Sequence, residues 1–167
     1  AYGSMILLWI ILAAATARLI PEHHGIEDAA GAPTPSATRR RPLFAYYLVA
    51  AFIGLTFTGF TTYMPIYFSE NLGQLFSTLN GVMAGGFATK LVLLAGLPGQ
   101  FIGGKCGDRY PKTPLLLIIC LIHIPLMLVF RGGSGELALL SGIVLGFVHF
   151  MYQPIGNAMI AEYTSSR

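Results

Sequence analysis

Lys90 is the residue whose chemistry needs the most explanation. It is the one charge in the apolar run 81–104, and a lysine at the middle of a membrane helix costs about 2.5–3.5 kcal/mol on insertion scales. Such a group faces a water-filled cavity, finds a partner, or snorkels to the interface. At about 1.5 Å per residue it lies roughly 13 Å from Gly81, so snorkelling towards that end is feasible. The functional alternative is an anion-attracting or coupling group on a solute pathway. His123 and His149 fall near the centres of two later apolar runs, where a histidine either hydrogen-bonds within the packing or carries a proton. Tyr63, Thr61, Thr62, Gln153 and Asn157 are neutral hydrogen-bonding groups in similar runs. They can contact a solute or bridge two helices.

A second cluster runs Gly103-Gly104-Lys105-Cys106-Gly107-Asp108-Arg109-Tyr110-Pro111-Lys112-Thr113. Gly104 and Gly107 allow two helices to approach closely at a turn. Asp108 can pair with Arg109 or Lys112, or cap a neighbouring helix N-terminus through its dipole. The bland reading of this cluster is a charged loop that only marks topology. Other groupings carry less. His23, His24, Glu27 and Asp28 sit in a solvated loop in which nothing completes a metal coordination shell. Cys106 and Cys120 have no metal-ligand spacing and read as small apolar residues. A phosphate-loop reading of Gly85-Gly86-Phe87-Ala88-Thr89-Lys90 fails on spacing, and Leu91 stands where Ser or Thr is needed. No cofactor is implied.

The elements that position these residues follow from composition. Of the 167 residues 54% are hydrophobic and 10% charged, with a mean hydropathy of +0.67. A soluble domain carries about 25% charged residues, and a chain of this size cannot bury so much apolar surface alone. Lipid is therefore the solvent. The net charge of +3 does not indicate nucleic acid, because the basic residues sit between apolar blocks and not on a basic face.

The blocks are continuously apolar without period-two alternation, so they are helices and not barrel strands. The expected organisation is all-α: a polytopic membrane bundle with helices at 43–69, 81–104, 113–130 and 137–162. Residues 1–17 read as the end of a preceding helix. Residues 18–42, rich in Pro, Gly, Ala and Ser, read as a flexible linker. Pro65, Pro98, Pro125 and Pro154 lie within the helices, where they mark kinks. Ala1 opens inside an apolar run without a Met and Arg167 closes just after another, so the chain reads as an internal segment.

Placing the Arg39, Arg40 and Arg41 loop in the cytoplasm puts Arg18, Lys105, Arg109, Lys112 and Arg167 on the same side after four crossings. Only Arg131 falls outside, with Lys90 inside a helix. That asymmetry orients the bundle by the positive-inside rule. The linker 18–42 and the loop 105–112 are then cytoplasmic, in an inner or plasma membrane.

The 103–113 cluster resembles the loop motif of the major facilitator superfamily. That motif runs Gly, any residue, small apolar, small, Asp, basic, any residue, Gly, then two basic residues. Gly104, Gly107, Asp108, Arg109 and Lys112 fit it, and Cys106 stands in for the apolar position. Pro111 replaces the usual Gly, and Thr113 replaces the second basic residue. The resemblance implies a partial major-facilitator fold with helices 6 (in part), 7, 8, 9 and 10. The 18–42 linker then falls between two six-helix halves, and the N-terminal half is missing. It also implies that the Asp108 loop gates alternating access, that helices 7, 8 and 10 face the solute cavity, and that His149 is better placed than peripheral His123. The ending from Tyr152 to Thr164, with Gln153-Pro154 before Asn157, is similar to helix 10 of bacterial efflux members, including the fosmidomycin-resistance type. Sugar, organic-acid and nitrate permeases stay open.

The function expected is secondary active transport of a small solute, with protons or ions as the coupling partner. A membrane enzyme would need converging acids, His or Cys at one membrane face, and the sequence offers none. A scaffold would have no use for Lys90, His149 and the Asp108 cluster, and no filter-like repeat suggests a channel.

Overall fold

A bilayer offers the backbone no hydrogen-bonding partner, so each apolar run has to satisfy its own N–H and C=O groups as a helix. The computed structural model of the chain describes residues 36–72, 75, 76 and 78–164, together with Leu7, Ile10, Ile11, Ala14 and Arg18. Its elements are α1 (Ser36–Asn71), α2 (Gly81–Leu94), α3 (Gly96–Arg109), α4 (Lys112–Gly132) and α5 (Glu136–Thr164), with no strand among the described residues. Four stretches are long and apolar enough to cross a membrane: Tyr46–Asn71, Gly81–Arg109, Lys112–Gly132 and Glu136–Ala161. The expected all-α, multi-spanning bundle is what forms. Leu7, Ile10, Ile11, Ala14 and Arg18 are helical and exposed. The rest of 1–17, the stretch 19–35 with His23, His24, Glu27 and Asp28, and Arg167 lie outside the described residues.

Two boundaries differ from expectation. Helix α1 starts at Ser36, so 36–42 are helical and not linker. Helix α3 continues through Lys105 to Arg109, which leaves only Tyr110 and Pro111 between α3 and α4 where a loop over 105–112 was expected. One physical cause covers both. Charges mark where a helix leaves hydrocarbon, but Arg and Lys are good helix formers and the helix runs on into water. Helix α3 ends where Pro111 disfavours the helical conformation for the residue before it, and Tyr110 is extended at φ −124°, ψ 154°.

The expected helix 81–104 is two helices, interrupted at Ala95. Pro98 has no N–H to offer the carbonyl four residues earlier, and the Gly99 amide reaches the Ala95 carbonyl only at 3.4 Å. Pro125 and Pro154, by contrast, sit inside unbroken helices.

Helix α5 packs against each of the other four. Met64 and Phe68 of α1, Val92 of α2, Phe130 of α4 and Ile155 of α5 are completely enclosed. The Phe60 and Phe68 rings meet Phe130 edge-on at 5.2 and 5.7 Å, the geometry that the ring quadrupole favours. In lipid, helix association depends on such packing and on small residues that let backbones touch. Gly103 shows the second device: a Cβ there would lie 2.5 Å from the Met151 carbonyl oxygen and 2.7 Å from its Cα. Gly99 meets the Phe147 carbonyl and Gly107 meets Ile155. The partners 147, 151 and 155 advance with 99, 103 and 107, so α3 and α5 run parallel.

At the opposite end of the bundle, Tyr67 Oη donates towards the carbonyls of Phe130 (2.6 Å) and Gly133 (2.9 Å). The Gly135 amide donates to the Asn71 carbonyl at 3.3 Å. These bonds occupy carbonyls left open at the ends of α4 and α1 and tie α1 to the α4–α5 turn.

Candidate functional site

The close α3–α5 contact brings polar side chains to one seam. Gln100, on α3, donates through Nε2 to Gln153 Oε1 of α5 at 2.7 Å, and both side chains are exposed. Asn157 lies one turn beyond Gln153, also exposed, and makes no hydrogen bond among the described residues. Gly104 lines the same seam, half-buried, with open space for a Cβ up to Pro154. Gln153 stands eight residues before Ala161, about 12 Å along the helix from the end of its span. Three amides are therefore presented to the outside of the bundle at bilayer depth. Of these, Gln100 was missed by sequence reasoning. The available signal was an amide in an apolar run, four residues before Gly104.

The same seam leads to the charged end. Gly107 is buried against Ile155, Asp108 and Arg109 are exposed, and Lys112 is half-buried at the first position of α4. The expected local roles of Asp108 are not realised. It forms no ion pair or hydrogen bond among the described residues, and α4 begins at Pro111 without a side-chain cap. Asp108 sits in the last turn of α3, where the helix dipole disfavours a negative charge, while Arg109 beside it has the favoured sign. Lys105 instead lies over the Phe101 ring at 4.4 Å, a cation–π contact.

His149 is elsewhere. It is buried between α1, α4 and α5, stacked face to face on Phe57 at 3.9 Å with planes 6° apart. The His123 ring meets it edge-on at 5.7 Å. His123 Nδ1 bonds the Ile119 carbonyl at 2.7 Å, and since a carbonyl only accepts, Nδ1 carries the proton. Between Thr56, Phe57, Phe60, His123, Met127 and His149 is a void of about 10 Å³, room for a single water. His149 can meet a proton or a water there, but no solute. Phe57 was not singled out from the sequence, because nothing in a lone aromatic identifies its partner.

Lys90 and Tyr63 stand apart from the seam and from each other. Both are exposed, and neither makes a hydrogen bond or ion pair among the described residues. Lys90 borders a recess of about 330 Å³ on α2, with Leu79, Met83, Gly86 and Phe87. Thr61 and Thr62 bond back to the Phe57 and Thr58 carbonyls of their own helix, so they bridge no helices. A further pair joins α1 to α5: Tyr152 Oη donates to Tyr46 Oη at 3.0 Å, both buried, with Gly156 against the Tyr46 hydroxyl.

The structure thus brings Gln153, Asn157, Gly104 and Gly107 along one seam, places Asp108, Arg109 and Lys112 at the charged end beyond it, and leaves Lys90, Tyr63 and His149 at three separate places. The seam offers hydrogen bonds and, at its end, charge. No curated protein and no solved structure matches the chain. The family model of the Major Facilitator Superfamily matches over residues 1–167; with its membrane-spanning helices, the chain belongs to that superfamily of multi-pass membrane transporters.

Proposed function

We propose that this chain is a half-bundle of a secondary active transporter that rocks against a second half-bundle, passing a small solute by alternating access. The observation that carries the reading is the exposed amide seam of Gln100, Gln153 and Asn157. An unsatisfied polar group facing hydrocarbon costs several kcal/mol, so such a seam is stable where water, a solute or an opposing polar surface meets it. The α3–α5 seam is accordingly the solute-facing wall, with Gln153 and Asn157 as solute contacts; Tyr63, on α1 and away from the seam, is a separate candidate hydroxyl.

Asp108 supplies the switch. Its charge is disfavoured by its own helix end and unanswered locally, so a cationic group or helix N-terminus on the opposing half gains from pairing with it in one conformation. Gly104, Gly107, Arg109 and Lys112 keep that end close-packed and basic. With the positive-inside orientation this end is cytoplasmic, as is the linker before α1. His149 is the coupling candidate: a proton taken up in its one-water void would drive efflux of the solute.

The test is flux in proteoliposomes holding the full-length protein under an imposed proton gradient. Solute accumulation should be gradient-dependent. Asp108→Asn should slow exchange at least about tenfold, a loss of 1.4 kcal/mol or more of latch energy, without changing solute affinity. Equal flux in Asp108→Asn removes the latch, and absence of gradient-driven flux for any solute class removes the transport reading.

A further inference from the structure

The recess at Lys90 is not on the amide seam, and its construction has its own chemistry. Met83, Gly86, Phe87 and Lys90 follow the i, i+3, i+4, i+7 spacing that lines up on one helix face. Leu79 closes the recess at the start of α2. Phe87 is held by an edge-to-face contact with Phe76 at 5.7 Å, so the aromatic wall has a support. The volume, about 330 Å³, falls at the lower end of the range for small-molecule sites.

Gly86 is the informative residue. A glycine within a helix is destabilising relative to alanine, and most glycines of this bundle have a packing reason. Neighbouring Gly85 is one of them, since a Cβ there would collide with the Pro65 carbonyl of α1. A Cβ at Gly86 would meet nothing within 4 Å. Packing does not require glycine at 86, and the missing side chain leaves the recess open there.

The second feature is the lone charge. Lys90 has no ion pair or hydrogen bond among the described residues and is the single polar head on an otherwise apolar lining. An apolar recess ending in one ammonium group complements a molecule with an apolar body and one anionic end. A neutral solute would leave the ammonium unanswered, and a small hydrated anion would leave the walls unfilled.

We propose that the Lys90 recess is a binding site for organic monoanions with an apolar body, of the alkyl- or aryl-carboxylate class. The carboxylate bonds Lys90 Nζ, and the hydrocarbon part lies over Gly86 between Met83 and Phe87. The claim that such an anion is cargo rests on the transport reading above. Binding itself does not.

The test is equilibrium binding of radiolabelled benzoate to the full-length protein in phosphatidylcholine nanodiscs. Benzoate should bind saturably, hexanoate should displace it, and benzyl alcohol, its neutral counterpart, should not. Lys90→Gln should weaken binding roughly ten- to a hundredfold, the range of a lost charge-assisted hydrogen bond, and Lys90→Arg should restore most of it. Gly86→Leu, which keeps the charge and whose Cβ meets nothing within 4 Å, should abolish binding by filling the recess. Unaltered affinity in Lys90→Gln or in Gly86→Leu overturns the proposal, as does competition by benzyl alcohol equal to that by hexanoate. Complete displacement of benzoate by phosphatidylglycerol added to the bilayer also overturns it, since the anion would then be lipid. Saturable binding without flux leaves this site standing and removes the transport reading instead.

Discussion

Replacing Gly103 by alanine is the sharpest test of how this half-bundle is held together. The added Cβ would stand 2.5 Å from the Met151 carbonyl oxygen and 2.7 Å from the Met151 Cα, against 3.4 Å for the start of ordinary contact. The obstructing atoms are backbone in the middle of α5, so no side chain can swing away. The helices would have to separate by roughly 0.9 Å at this level, and overpacking of that kind costs about 1–3 kcal/mol. Separation would also stretch the contacts at Gly99 and Gly107 and the Gln100–Gln153 bond at 2.7 Å. Gly86→Ala is the matched control in the same span. With nothing within 4 Å, it should gain up to about 1 kcal/mol of helix propensity. The two substitutions should therefore differ by about 1–4 kcal/mol and in sign. Denaturant titration of the purified full-length protein in mixed micelles, followed by far-ultraviolet circular dichroism, reads this difference. A Gly103→Ala protein as stable as the parent would refute the close α3–α5 contact, and with it the parallel seam that presents the amides.

Tyr67→Phe removes the hydroxyl shared by the Phe130 and Gly133 carbonyls, and should cost about 1–3 kcal/mol in the same titration because buried acceptors are left unsatisfied; a cost near zero would mean water replaces it. Gly156→Ala would drive a methyl against the Tyr46 hydroxyl, so it should destabilise less in a Tyr46→Phe background, with a coupling of at least about 0.5 kcal/mol in a double-mutant cycle; additive effects would mean that the two residues do not touch. His149→Phe keeps a ring on Phe57 and should leave folding intact while abolishing proton-driven accumulation; full accumulation would take His149 out of the coupling path.

The sequence announces the crossings of this fold more clearly than its site. Apolar runs and charged breaks located the four spans, because burial in hydrocarbon depends on composition alone. Glycines four apart at 81 and 85, 99 and 103, and 142 and 146 have the small-residue spacing of close helix packing, and each of the six has a near neighbour across an interface. Helix ends were less legible at Ser36 and Arg109, since charge reports the membrane edge and not the helix end. The break at Ala95 needed the three-dimensional consequence of Pro98. Which face a polar residue takes was hidden as well. Gln153 and His149 lie four residues apart on α5, yet one is exposed and the other enclosed. That difference depends on which helices surround α5, and periodicity alone does not name neighbours.

The span from Gly81 to Arg109 joins two kinds of surface. One face is fastened through backbone contacts: Gly85 to Pro65 on α1, then Gly99 and Gly103 to Phe147 and Met151 on α5. Lys90 is exposed on α2 and Gln100 stands at the edge of the α3–α5 seam, ten residues and about 15 Å further along the axis. The interruption at Ala95 falls between them, where the Gly99 amide only reaches its acceptor at 3.4 Å. The break therefore separates an apolar recess with a cationic head from a neutral amide seam, while the glycine contacts secure the span on both sides of it. The missing Pro98 N–H leaves the Leu94 carbonyl without its helical donor, so the sequence itself fixes the break between the two polar stations.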